Sequence, residues 1–310
     1  MTAARPAPER LAALPTKFVT RFAPAPTGHL HLGHAVNAVY VWGLARLLGG
    51  RVLLRIEDHD RTRSRSEYET SILDDLDWLG LTPDGGITAE FRAGPHPQRQ
   101  SDAGLRYASA LERLDRAQRV YPCNCSRKEI AQDLPDRFGE EVRYPGRCRT
   151  RQIEPASTPA RRIILDDVAE HCDDVRLGSQ VQRPSQQCGD LLARDRLGQW
   201  TYQFAVTVDD LDQGVNVVIR GEDLLPSVGR QQALARLLGR GEPPRFLHHL
   251  LIRHPDGAKL SKSNRDTGLR DLRAAGCSAE TVLGRAAYLA GLQVEDRPVS
   301  VRDLPELFAS

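Results

Sequence analysis

Two histidines three residues apart, His31 and His34, bracket Gly33 in the string HLGH, and two of the chain's four lysines, Lys259 and Lys262, flank Ser261 in the string KLSKS. Imidazoles at the mouth of a helix lie beside free backbone N–H groups and the positive end of the helix dipole, an arrangement that seats phosphate. Arginine supplies the ordinary surface charge of this chain. A lysine pair in a Ser-punctuated loop therefore points to a compact ammonium that follows a phosphate through a reaction. The two strings together read as a nucleoside triphosphate site. A second set of residues, Arg21, Arg220 and Glu57, complements a ligand with two carboxylates and one ammonium. Each falls at or near the end of a proposed strand, the edge where open α/β sheets bind ligands. Mutual pairing of Arg21 with Glu57 is the competing structural reading, because buried charges are normally paired.

Cys123, Cys125 and Cys148 form a third group, three thiolates that want a fourth ligand. Zinc in a structural role fits them, and on chemistry alone His171, Cys172 or Cys188 would complete the set. Six cysteines scattered through 310 residues suit a reducing, cytoplasmic compartment, with free thiols as the alternative. Arg143, Arg147, Arg149, Arg151, Arg161 and Arg162 crowd the same region and could track the phosphates of an RNA.

The elements that must carry these residues follow from periodicity. Phe18 to Phe22 reads as a buried strand, Gly33 to Leu48 as a helix closed by Gly49-Gly50, and Arg51 to Ile56 as a second strand. A right-handed crossover makes these a βαβ unit. A helix beginning at a Ser64–Glu67 capping box and ending at Gly80 comes next, followed by one over roughly Gln98 to Gln118. Gln203 to Val208 and Val215 to Ile219 read as further strands, and Ser227 to Leu238 and Ala279 to Leu289 as helices.

Composition sets the frame. Lysine and arginine (43) nearly balance aspartate and glutamate (41), giving a net charge of +2, so a polyanion must be met by a local patch. The sequence shows no membrane span and no repeat. The opening stretch has neither the basic start nor the apolar core of a signal peptide, and reads as a disordered tail. The expected fold class is α/β: a Rossmann-like parallel-sheet catalytic domain with an inserted zinc-bearing subdomain and a small helical C-terminal portion. The expected divisions are a tail at 1–16, the catalytic domain at 17–120 and 191–250, the insertion at 121–190, and the KLSKS loop with helices at 251–310.

RFAPAPTGHLHLGH, LRIEDHDRTRS, VIRGEDLL and AKLSKS resemble the catalytic core of class I glutamyl-tRNA synthetases, from about Thr20 to Asn264. A short chain after KLSKS and a cysteine pair in the insertion narrow the likeness to the glutamyl-Q tRNA(Asp) synthetase family. The resemblance implies ATP-dependent formation of glutamyl-adenylate and transfer of glutamate to queuosine in the anticodon loop of tRNA(Asp). A paralogue charging a tRNA 3′ end, or a nucleotidyltransferase of other specificity, remains the alternative. ATP would fall to His31, Gly33, His34, Lys259, Ser261 and Lys262, with His31, His34 and Lys262 catalytic and magnesium arriving with the nucleotide. L-Glutamate would fall to Arg21, Ala23, Ala25, Glu57, Tyr202 and Arg220; at Ala25 the family usually carries serine. Tyr144 would be the fourth zinc ligand beside Cys123, Cys125 and Cys148. The expected protein is a cytoplasmic monomer that binds ATP, glutamate and tRNA but no membrane.

Overall fold

The structure, a computed structural model, describes residues 6–15, 17–133, 142–151, 160–252 and 268–309. Nine strands lie among them. The four-residue strands β1 (Val19–Phe22) and β2 (Arg51–Leu54) pair in parallel across the Leu32–Leu47 helix, giving the expected βαβ unit. That helix buries nearly its whole length from Ala35 to Ala45, and so shows no amphipathic stripe.

The next strands are β3 (Val120–Cys123), β4 (Ala160–Ile163), β5 (Glu170–Asp174), β6 (Gly178–Gln182), β7 (Leu191–Arg194), β8 (Val217–Gly221) and β9 (Arg245–His249). β3, β4 and β7 form an antiparallel sheet of their own. A second sheet runs β6-β5-β9-β8, parallel at β5–β9 and β9–β8 and antiparallel at β5–β6. β8 lies against β1, where Asn216 N donates to Val19 O (3.1 Å) and Asn216 Oδ1 accepts from Val19 N (2.7 Å). The strands thus interleave across the expected division at 190/191: β7 lies beyond it in sequence yet pairs with β4. β5 and β6 lie before it yet pair with β9 and one another.

Three sequence expectations are corrected. Gln203 to Val208 is not a strand but part of the Tyr202–Asp212 helix; its run of β-branched residues alternates like a strand because Phe204 to Asp210 are all buried and no polar face breaks the pattern. The Ser64–Glu67 capping box does not form. Ser64 N donates to Asp60 O, its Oγ is buried without a partner, and the helix starts at Ser66 with Arg65 as N-cap. The proposed tail, in its described part, is folded: Pro8–Leu11 is a helical turn, and Leu11 and Leu14, three residues apart, pack into the main core. The expected helix at Gln98 to Gln118 is found as Gly104–Arg116 behind a short 3₁₀ turn at Gln100–Asp102.

Asp75, on the Ser66–Leu79 helix, is 1% exposed and its Oδ2 has no partner. Burial pushes its pKa up to about 7, against the pull of Arg273. The C-terminal elements, helices Leu269–Ala274 and Ala279–Leu289 and the 3₁₀ segment Val301–Phe308, bury Val282, Leu283, Leu304 and Phe308 in the same core as the Leu32–Leu47 helix. Among the described residues no helix is long and apolar enough to cross a membrane.

Candidate active site

The chain leaves β1 at Phe22 and enters the Leu32–Leu47 helix through His31, whose extended backbone (φ −133°, ψ 176°) makes it the N-cap. The two histidines close this helix start reciprocally. Gly33 N donates to His31 Nδ1 (3.1 Å), and His31 N donates to His34 Nδ1 (3.1 Å), with the rings 4.0 Å apart. Such side-chain caps satisfy backbone donors that the first helical turn leaves without intrahelical partners. A Cβ at position 33 would stand 2.9 Å from His31 Cε1, so any larger residue would push the capping ring aside.

A cavity of ≈ 560 Å³ opens at this helix start. It is lined by His31, Gly33 and His34 on one side and by Arg21, Ala23, Ala25 and Glu57 on another. Tyr202 and Arg220 complete the wall, so every described residue expected at the nucleotide and amino-acid sites faces one space. Lys259, Ser261 and Lys262 lie outside the described residues. The residues flanking that stretch do reach the site: Ile252 lines the cavity, and Gly268 bridges to His31 while Leu269 N donates to Leu30 O (2.8 Å).

Arg21 and Glu57 do not pair with each other. Arg21, 4% exposed, donates through Nε to Asp210 Oδ1 (3.1 Å). Glu57 accepts from Arg55, which is fully buried and also donates to Asp210 Oδ1 (2.7 Å) and Gln213 Oε1 (3.1 Å). Burial works against the Arg55 charge, but Asp210, Glu57 and Asp209 outweigh it and raise its pKa. Burial in turn disfavours the Asp210 anion, yet Arg21 and Arg55 hold its pKa below the usual carboxylate range. Arg55 and Asp210 are residues the sequence reading missed. Their only signals are a charge inside the apolar run RVLLRI and an acidic pair inside a β-branched one.

Arg220 is treated differently. It is 4% exposed, and its donors meet His248 Nε2 (3.1 Å), Gln231 Oε1 (2.8 Å) and the Leu224 carbonyl (3.2 Å). None of these acceptors carries a charge. Burial lowers its pKa, with the nearby Arg21 adding to the effect, and together they outweigh the opposing pull of Tyr202 and of the more distant Asp210. Burial raises the pKa of Tyr202, and Glu57 raises it further, so its phenol stays protonated as a donor. Asn37, Asp223 and His249 also line the cavity, and none was picked out from sequence. His249 stacks on Tyr40 (5.0 Å, 17°), and burial depresses its pKa to about 4.

Away from the cavity, the sulfurs of Cys123, Cys125 and Cys148 lie within 4.8 Å of one another, and the Tyr144 hydroxyl is 3.4 Å from Cys123 Sγ and 3.9 Å from Cys125 Sγ. Tetrahedral zinc with Zn–S of about 2.3 Å places its sulfurs roughly 3.8 Å apart, so the donor set fits one such ion after small adjustments. Burial opposes the Cys148 thiolate, but hydrogen bonds from Tyr144 and the Asn124 backbone bring its pKa down to about 7. The alternative ligands lie elsewhere. His171 and Cys172 are on β5, in the other sheet, and the Cys188 thiol bonds to the Pro184 and Gly189 carbonyls.

The arginine patch is divided between interior and surface. Arg162 is 8% exposed and donates to Cys123 Sγ and the Asp190 carbonyl. Arg149 pairs with Asp190, Arg161 with Asp115, and Arg143 with the Ser185 carbonyl.

Residues 17–297 match the family described as tRNA synthetases class I (E and Q), catalytic domain, and the chain belongs to that family. It is a ligase-class aminoacyl-tRNA synthetase homologue. Within the family it is similar to the glutamyl-Q tRNA(Asp) synthetase of Symbiobacterium thermophilum, 42% identical over 299 residues that cover 93% of this chain and 91% of that protein. It is 36% identical over 293 residues to glutamate–tRNA ligase 2 of Syntrophus aciditrophicus, covering 92% of this chain and 60% of that one. A solved glutamate tRNA ligase from Elizabethkingia meningosepticum superimposes with a TM-score of 0.75 at 26% identity; the match takes in 93% of this chain and 64% of that structure.

Proposed function

We propose that the chain activates L-glutamate with ATP as glutamyl-adenylate and passes the glutamate to queuosine in the anticodon loop of tRNA(Asp). The observation that carries the amino-acid reading is Arg220, a buried cation in a cavity wall whose hydrogen bonds to His248, Gln231 and Leu224 all go to neutral acceptors. A guanidinium so placed wants an anion from its ligand. Glutamine would leave it uncompensated, a penalty of several kcal/mol for a buried charge. Arg21 and Tyr202 face the same space, and Glu57 offers its carboxylate to the substrate ammonium. His31 and His34, beside the first N–H groups of their helix, suit the triphosphate.

The reaction needs no protein nucleophile. A substrate carboxylate oxygen attacks the α-phosphorus in line, and the bond to the bridging oxygen breaks as pyrophosphate leaves with its electron pair. His31, His34 and Lys262 neutralise the charge that develops, with Lys259 in support. Magnesium arriving with ATP would supply further positive charge to the triphosphate.

Cys123, Cys125, Cys148 and Tyr144 would hold a structural zinc, tying the end of β3 to the 142–148 segment. The β3-β4-β7 sheet then reads as a zinc-bearing insertion in a Rossmann-like catalytic domain.

Both the identity to the Symbiobacterium enzyme and the share of its length that is matched support the queuosine acceptor over a 3′ end. The test is transfer of radiolabelled glutamate to tRNA(Asp) with and without queuosine, followed by mass analysis of nuclease fragments. Label confined to the queuosine-bearing fragment is expected. Label on tRNA lacking queuosine, or at the 3′ end, overturns the acceptor. Pyrophosphate exchange with other carboxylic acids but not glutamate overturns the pocket.

A further inference from the structure

Arg220 does not orient itself. Its Nε–H, a donor in every state of the side chain, points at His248 Nε2 (3.1 Å), so that nitrogen must be an acceptor. The hydrogen of the neutral ring then sits on Nδ1, where Asp174 Oδ2 lies 2.6 Å away. Asp174 is itself pinned by three backbone donors: Arg176 N (2.9 Å) and Leu177 N (2.8 Å) to Oδ1, and His248 N (3.1 Å) to Oδ2. Both Asp174 and His248 are 0% exposed. The imidazole lies flat against Phe246 (5.9 Å, 8°), and the Arg220 guanidinium overlies that same ring at 5.4 Å. Carboxylate, imidazole and guanidinium thus form one rigid line reaching from β5 through β9 to β8 and the cavity.

We propose that His248 and Asp174 are positioning residues that hold Arg220 as the receptor for a substrate carboxylate, and thereby set the preference for glutamate over glutamine. The inference rests on the glutamate reading of the cavity. The imidazole is the important spacer. A carboxylate placed directly on Arg220 would satisfy it as Asp210 satisfies Arg21, and would leave little attraction for a substrate anion. A neutral acceptor fixes the guanidinium in direction without cancelling it. Asp174 fixes the tautomer of that acceptor from one ring further away. Nothing in the string FLHHLL marks the first of its histidines, because its partner lies 74 residues earlier in the chain.

The test is glutamate-dependent ATP–pyrophosphate exchange by the full chain and by His248→Leu, His248→Gln and Asp174→Asn. Loss of the acceptor in His248→Leu is expected to raise the KM for glutamate at least about tenfold and to narrow the glutamate-over-glutamine preference similarly. The KM for ATP should stay within about twofold. His248→Gln, whose amide oxygen can take the place of Nε2, should recover most of the loss; Asp174→Asn, which frees the tautomer, should fall between. An unchanged glutamate KM and preference in His248→Leu overturns the proposal while leaving the glutamate reading intact. Wild-type protein that shows exchange with another acid but not glutamate overturns both, and is seen before any variant is made. Should the variants fail to fold, ¹⁵N spectra of the wild-type imidazole decide: protonation of His248 at Nδ1 alone near neutral pH is expected, and protonation at Nε2 overturns the line.

Discussion

At the β1 wall of the cavity, Arg21 leans on Asp210, whose carboxylate the buried Arg55 behind it shares and ties to Glu57; on the β8 wall, Arg220 leans on an imidazole, an amide and a peptide carbonyl. The first arrangement closes on itself. Arg21 and Arg55 share the Asp210 anion within the fold, and removing one partner strands the others in a medium that cannot solvate them. The second is left electrostatically open toward the cavity. The same residue type, at the same depth, is therefore a strut on one wall and a receptor on the other, and the charge of the acceptors decides which.

Substitution of Arg220 is the strongest way to break this contrast. Arg220→Leu should lower kcat/KM for glutamate by about 4 kcal/mol, near a thousandfold, in pyrophosphate exchange. Urea unfolding of the same variant should show stability equal to or above the wild type. Asp210→Asn should do the reverse in kind, costing about 3 kcal/mol of stability because Arg21 and Arg55 lose their common anion. If Arg220→Leu proves the less stable of the two, the division into strut and receptor fails.

Asp75 sharpens the comparison, since a carboxyl can shed its charge where a guanidinium cannot. It binds its proton more tightly in the folded chain, with a pKa of about 7 against 3.8 as the ordinary value. Its contribution is therefore fully present below pH 3.8 and is lost as pH rises toward 7. Asp75→Asn should remove that decline and stabilise the protein at pH 8 by about 2 kcal/mol, measured by unfolding at pH 5 and pH 8. His31→Ala, which removes a cap and no buried charge, should cost only about 1 kcal/mol in thermal unfolding.

The βαβ unit and the histidine pair were legible because their determinants are local: a strand, a Pro-Gly turn, and caps three residues apart. Arg21, Glu57 and Arg220 were legible as cavity residues because strand ends carry ligands. Their partners were not, since Arg55, just past β2, meets Asp210 on the Tyr202–Asp212 helix across 155 residues, and only the folded chain brings them together. The Tyr202–Asp212 helix was misread because both of its faces are buried, which erases the periodicity that separates helix from strand. The Ser64 cap was misread because a turn hydrogen bond to Asp60 claimed the backbone first. Leu11 and Leu14 show the opposite failure: a Pro- and Ala-rich composition masked two leucines that suffice to anchor the segment.

The reciprocal histidine cap carries a consequence for polarity. Because each ring spends Nδ1 as an acceptor for a peptide hydrogen, a neutral ring has its own hydrogen on Nε2. The fold's internal wiring thus turns both imidazoles into givers of hydrogen bonds. Oxygen-rich anions are welcomed at that doorway, and on those two neutral rings an ammonium group meets donors like itself.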